Sequence, residues 1–156
     1  MYVSESPDSA AEHRTERIDA RGHENVSATH ASTFEVTTDD FLTPAGDCIL
    51  AIEADRAPAD FDPAFVAACQ DTSATITMVV TVGDHERTVT GRGDPRLTFE
   101  SERSAVGRTS DYVDDRTVML EADAAATDVD RALVDALADG ADVQVTLTVE
   151  DDNTEG

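Results

Sequence analysis

Lysine and tryptophan are absent from this chain of 156 residues, and aromatic residues make up only 4% of it. The two cysteines, Cys48 and Cys69, are too few for a disulfide framework and lack CxxC spacing. Long apolar runs are missing as well. The longest are stretches such as Met78-Val79-Val80 and Ala64 to Cys69, against the roughly 20 residues that a membrane-spanning helix needs. Residues 1–15 show no basic-then-apolar pattern, so no secretory signal is read and a cytoplasmic location is expected. Basic charge is scarce: 11 arginines face 34 acidic residues, for a formal net charge of −23. Such a charge argues against general binding to DNA or to an anionic membrane.

The acid does not sit in a tail. Residues 1–14 hold three acids and residues 150–156 hold four, leaving 27 acids and ten arginines between Thr15 and Val149. Charge-driven disorder of the body conflicts with its clean strand and helix periodicity. What remains is a folded domain with an acidic coat. Abundant Asp, small aliphatics and missing Lys point to an extreme halophile, where multimolar salt screens the repulsion within a few Å.

The length fits one domain. Residues 1–14 and 151–156 read as disordered tails, and 15–150 as a single compact domain. Strands are expected at Ile18 to Arg21, Val26 to Thr37, Cys48 to Asp55, Ala74 to Val82, Arg87 to Gly91, Arg96 to Glu102, Arg116 to Asp123 and Val143 to Val149. Asp62 caps a helix that opens with Pro63 and runs to about Gln70. Thr127 is expected to cap a second helix over Asp128 to Asp139, with Asp130 in capping-box position. Gly140 follows as a C-terminal glycine.

The two halves, about 16–82 and 86–150, align at an offset of 68 residues. Ile52-Glu53-Ala54-Asp55 matches Leu120-Glu121-Ala122-Asp123, and Asp62 to Cys69 matches Asp130 to Leu137 in its apolar positions. Thr33-Phe34-Glu35 resembles Thr98-Phe99-Glu100. Each half reads β-β-β-α-β, so an internal duplication with pseudo-two-fold symmetry is expected. Neither half could bury its own helix stripe and strand face, so the halves should share one core. The fold class is α+β: a mostly antiparallel sheet or barrel with two helices.

Six of the 11 arginines fall between residues 87 and 116, where six acids make the net charge zero. Two loops dominate this window, Gly91 to Pro95 and Arg108 to Asp111. Glycine lets backbone N–H groups approach a ligand, and guanidinium forks suit carboxylate or phosphate. Arg92, Arg108, Ser110 and Arg116 are therefore the candidate anion-binding residues, and simple pairing with the local acids is the alternative. His23 and His30 are candidates for acid–base work, with Asp47 and Asp111 to orient them or share protons. Their spacing matches no HxH, HExxH or CxxC template, so no metal site is assigned, and the cofactor is left open. Cys48 and Cys69 read as small core residues.

Arg21-Gly22-His23-Glu24-Asn25-Val26, Ala28-Thr29-His30, Thr33 to Thr37, Leu42 to Ile49, Gly93-Asp94-Pro95, Arg108 to Asp111 and Arg116-Thr117 occur here in one order. Together they resemble the archaeal family of domain of unknown function 371, over about residues 16–149. Other members carry lysines where this chain has Arg or Ala, the change a halophilic member would show. The resemblance implies an archaeal cytoplasmic protein of one compact domain and brings no established activity.

Two functions are carried forward. One is binding of, or catalysis on, a small anionic metabolite where equivalent loops of the two halves meet. The other is a non-catalytic module for a protein or structured RNA partner, with the arginine window on an open face.

Overall fold

The computed structural model describes residues 14–151. Strand β4 (Ala74–Val82) has the clearest cause, because its sequence ATITMVVTV alternates and buries Ala74, Ile76, Met78, Val80 and Val82 on one face. It joins β5 (His85–Arg92) through the two-residue turn Gly83-Asp84. On its other side lies β8 (Asp142–Asp151), which buries Val143, Val145, Leu147 and Val149. β1 (Thr15–Arg21) completes this sheet, whose order is β1-β8-β4-β5 and whose pairs are all antiparallel.

The second sheet is mixed and has the order β3-β2-β6-β7. Its central pair is antiparallel: β2 (Thr33–Thr37) against β6 (Ser104–Arg108). Two short strands, β3 (Ile49–Ala51) and β7 (Thr117–Met119), add in parallel at the edges. Neither sheet closes on itself, so the fold is α+β with open sheets and the barrel alternative does not hold.

Helix α1 (Pro63–Cys69) starts where the sequence places it, with the Asp62 carboxylate accepting the Ala64 N–H at 2.8 Å and Pro63 in the first turn. It buries Phe65 and Cys69. Helix α2 (Arg131–Ala138) buries Leu133, Val134 and Leu137. It begins three residues later than expected. Thr127 lies in a 3-10 turn, Ala126–Asp128, whose Asp128 carboxylate bonds back to the Ala125 N–H at 2.9 Å. Val129 is then extended, and Asp130 occupies the N-cap without a side-chain bond. Gly140, at φ 83°, closes α2 by donating its N–H to the Leu137 carbonyl. Helix α1 packs on β4 and β8, helix α2 packs on β4 and β5 and also on β3 of the second sheet, and one apolar core joins both sheets and both helices.

Two expected strands, Cys48 to Asp55 and Arg116 to Asp123, shrink to the three-residue β3 and β7 before the left-handed Glu53 and Glu121, and two more are corrected further. The Val26 to Thr37 stretch pairs only over Thr33–Thr37, because Ala28 is left-handed at φ 49° and the chain turns at His30. The Arg96 to Glu102 stretch is not a strand. Phe99 is left-handed at φ 52°, and its ring packs with Phe61 and Phe65. The pairing strand is instead Ser104–Arg108, in a segment where no strand is expected. Thr33-Phe34-Glu35 and Thr98-Phe99-Glu100 therefore occupy different kinds of structure. The tails expected at 1–14 and 151–156 lie outside the described residues, except for Arg14 and for Asp151 at the end of β8.

Candidate functional site

The β2–β6 pair sets up two unlike faces. Successive strand residues point to opposite sides, and residues paired across an antiparallel ladder point to the same side. Phe34, Val36, Ala105 and Gly107 therefore share the inner face, where the Phe34 ring lies so close over Gly107 that a Cβ there would overlap it. The outer face carries Thr33 opposite Arg108, Glu35 opposite Val106, and Thr37 opposite Ser104. This face is polar, yet Thr37, Ser104, Arg108 and Thr117 are all buried.

Each buried polar group on it has a partner. The Ser104 hydroxyl donates to Thr37 Oγ1 at 3.3 Å. Arg108 Nε donates to Thr117 Oγ1 at 2.9 Å, and its Nη2 to Asp114 Oδ2 at 3.0 Å. Arg116 Nη2 reaches the same Asp114 oxygen at 3.1 Å. The Arg108 guanidinium also lies 4.8 Å from the ring centroid of Tyr112. Partial burial alone would raise the Asp114 pKa. The Arg116 amide and guanidinium, with the charge of Arg108, outweigh that and lower it to about 2.

The β3 side of the face is different. The Cys48 thiol donates to Glu35 Oε1 at 3.4 Å. Burial, and then the Glu35 charge, push the thiol up to about 11, so Cys48 is no ready nucleophile. The Thr33 hydroxyl is 3.0 Å from His30 Nδ1.

The expected site residues divide among several places. His30 touches Thr33, Thr33 pairs with Arg108, and Arg108 shares Asp114 with Arg116, so these three candidates form one contiguous cluster. Asp47 joins it through its backbone, its carbonyl accepting the N–H groups of Thr29 and His30. Ser110 accepts the Tyr112 N–H at 3.3 Å, and the Asp111 carbonyl accepts from Arg96 at 3.3 Å. Arg92 stands apart, held by Asp94 at 3.0 Å and Glu121 at 3.3 Å. His23 lies in a groove beside Ala138, Asp139 and Gly140 at the end of α2.

Both histidines hold a turn. His23 Nδ1 accepts the Asn25 N–H at 3.0 Å, and His30 Nδ1 accepts those of Ser32 and Thr33 at 3.2 and 3.1 Å. Asp94 does the first job for Arg96, and Ser101 does the second for Arg103 and Ser104. An acceptor Nδ1 leaves the proton of the neutral ring on Nε2.

The arginines of the window are largely satisfied within the protein. Arg92 and Arg96 bind Asp94, Arg103 binds Asp39, and Arg108 and Arg116 bind Asp114. Arg87 instead gives Nη1 to the Asp128 carbonyl at 3.2 Å, while its Nε is buried without a hydrogen-bond partner. Among the described residues, no group of three or more His, Cys, Asp or Glu side chains is arranged to hold a metal ion, and no helix is long and apolar enough to cross a membrane.

Thr33, Glu35, Asp114, Thr117 and Tyr112 are the members of the cluster that sequence reasoning missed. The alternation in Thr33-Phe34-Glu35-Val36-Thr37 announces a polar outer face, but only the pairing with β6 shows what stands on it.

The family described as Domain of unknown function (DUF371) matches residues 18–150, which spans both sheets and both helices. A relative from the archaeon Methanocaldococcus jannaschii, "Uncharacterized protein MJ0206", is 36% identical over 132 residues. The match covers 85% of this chain and 97% of that protein. By the extent of both matches, this chain is a member of the DUF371 family.

Proposed function

We propose that the chain binds a small anionic metabolite at the Arg108–Arg116 end of the outer face. The observation that carries this reading is the convergence of two guanidinium groups on one carboxylate oxygen, Asp114 Oδ2. Asp114 is the carboxylate that hydrogen-bonds both forks, with the charges of Glu35 and Asp115 also acting on Arg116, and the half-exposed Arg116 fork keeps donors to spare. The Nε2–H of His30, a ring joined to the cluster through Thr33, adds a neutral donor in this reading. His30 then acts as a hydrogen-bond donor toward the anion and not as a general base, because Nδ1 is already engaged. Arg92 and His23 take no direct part, being held elsewhere.

In this reading the site lies where two duplicated halves meet. Several recurrences support a duplication. The bridge from Arg21 to Ile52 recurs from Arg92 to Leu120, and the left-handed residues Ala28 and Glu53 recur as Phe99 and Glu121. The Arg21–Glu53 ion pair recurs as Arg92–Glu121. Offsets of 71 residues before β3 and β7, and of 68 after them, relate these pairs. The ligand site itself is not repeated: Thr37 and Cys48 stand where the second half has Arg108 and Arg116. The acidic coat and absent lysine support a salt-rich archaeal cytoplasm as the setting.

Titration calorimetry of the protein with inorganic phosphate, sulfate and small carboxylates tests the proposal, at the lowest salt that keeps the chain folded. Saturable binding that disappears in Arg116→Gln and strengthens in Asp115→Asn, which removes a negative charge acting on Arg116, is the expected result. Absence of binding, or binding unchanged in Arg116→Gln, overturns it.

A module for a protein partner is the second reading. It rests on Phe41 and Tyr112, the exposed large hydrophobic side chains among the described residues, at 56% and 59% exposure. They stand on the loops that follow β2 and β6, 71 residues apart.

A further inference from the structure

Tyr112 has an unusual setting for this chain. Its ring is exposed, in a protein with 4% aromatic residues, and the guanidinium of the buried Arg108 backs it. That contact leaves ring surface open to solvent. Asp114 fixes both Arg108 and Arg116, so the aromatic surface and the paired guanidinium groups belong to one small patch. An aromatic ring polarised by a cation is a stacking surface for a planar heterocycle. Guanidinium forks with free donors suit phosphate oxygens. Few ligands present both features a short distance apart.

We infer that the anion bound here is the phosphate of a nucleoside monophosphate group, with its base stacked on Tyr112. This rests on the anion-binding reading above and adds the ligand class to it. Arg116, the more exposed of the two arginines, carries most of the phosphate contact, and Arg108 serves chiefly to hold the ring and Asp114 in place. Stacking reads the face of a base and not its edge, so purine and pyrimidine nucleotides should both bind. The group can arrive as a free nucleotide or as the phosphorylated end of an RNA strand.

The test measures binding of inorganic phosphate, adenosine 5′-monophosphate, adenosine and a 5′-phosphorylated oligoadenylate to the full chain. Its variants are Tyr112→Ala, Tyr112→Phe and Arg116→Gln. The monophosphate is expected to bind about tenfold tighter than phosphate, an advantage of the size that one stacked base provides. Tyr112→Ala should remove that advantage while leaving phosphate binding within about twofold, and Tyr112→Phe should keep it. Phosphate that binds as tightly as the monophosphate overturns the nucleotide inference and leaves the anion site standing, as does an advantage that survives Tyr112→Ala. Failure of every phosphate-bearing probe overturns both. An oligonucleotide that binds more tightly than the monophosphate assigns the group to an RNA end, and equal affinities assign it to a free nucleotide.

Discussion

Glu16 and Arg56 meet at the junction of β1 with the segment before α1. The carboxylate also accepts the N–H of Asp62, the N-cap of α1, at 2.7 Å, and Arg56 further bonds the carbonyls of Arg17 and Asp60. Glu16 is buried, so removing Arg56 strands a charge in the interior. Arg56→Met should therefore cost about 3 kcal/mol. Position 87, which lies 71 residues beyond Glu16, holds an arginine with a buried, unpartnered Nε. Arg87→Met removes that desolvated group and should be neutral or stabilising within about 1 kcal/mol. Urea midpoints for the two variants, at one fixed salt concentration, check the contrast.

Asp114 should be visible in acid unfolding. Its folded pKa, about 2, lies below the ordinary value of 3.8. A depressed carboxylate stabilises fully above the unfolded pKa, and that contribution is lost as pH falls toward the folded one. The wild type should therefore lose more stability between about pH 4 and pH 2 than Asp114→Asn does. Falling self-repulsion of the acidic coat acts on both proteins, so the difference between their curves is the readout. Parallel curves across this window would remove Asp114 from the account.

Cys48 should react slowly with Ellman's reagent at pH 8 and faster as pH approaches 11, since burial and the Glu35 charge both oppose the thiolate. Glu35→Gln removes the second cause and should speed the reaction at pH 8. Cys69, fully buried on α1 and pushed up further by burial, should react only on unfolding.

His30 should be replaceable by serine. Ser101 already gives two backbone N–H groups the acceptor that His30 supplies to Ser32 and Thr33. His30→Ser should keep thermal stability close to wild type, whereas His30→Leu loses the acceptor and should cost about 1–2 kcal/mol. Equal losses in the two variants would mean that the ring and not its Nδ1 holds the turn.

The helices and the long strands β4 and β8 were legible because their order is local. Asp62-Pro63 caps its own helix, and alternation in Ala74–Val82 needs no knowledge of a partner. β6 was not legible, since Ser104-Ala105-Val106-Gly107-Arg108 is short and is a strand only because β2 lies beside it. The similarity of Thr33-Phe34-Glu35 to Thr98-Phe99-Glu100 pointed to the wrong partner. Phe34 packs inside β2, while Phe99 sits at a left-handed turn against Phe61 and Phe65. The same limit applies to the site. Arg108 and Arg116 could be named from composition, but Asp114 and Tyr112 acquire meaning only when the loop after β6 folds back over Arg108.

The position of β8 between β1 and β4 has a consequence for how the chain is made. β1 has a seven-residue ladder with β8 and none with β4. During synthesis β1 therefore waits, unpaired along that ladder, until the residues up to 148 leave the ribosome. All strands of the β3-β2-β6-β7 sheet are complete by Met119, so its pairings become available first. The β4–β5 hairpin is local and can close early, but the first sheet is completed only when β8 enters between strands already made. The chain's net charge of −23 suits that wait, because an acidic chain with an open strand edge resists pairing with its neighbours.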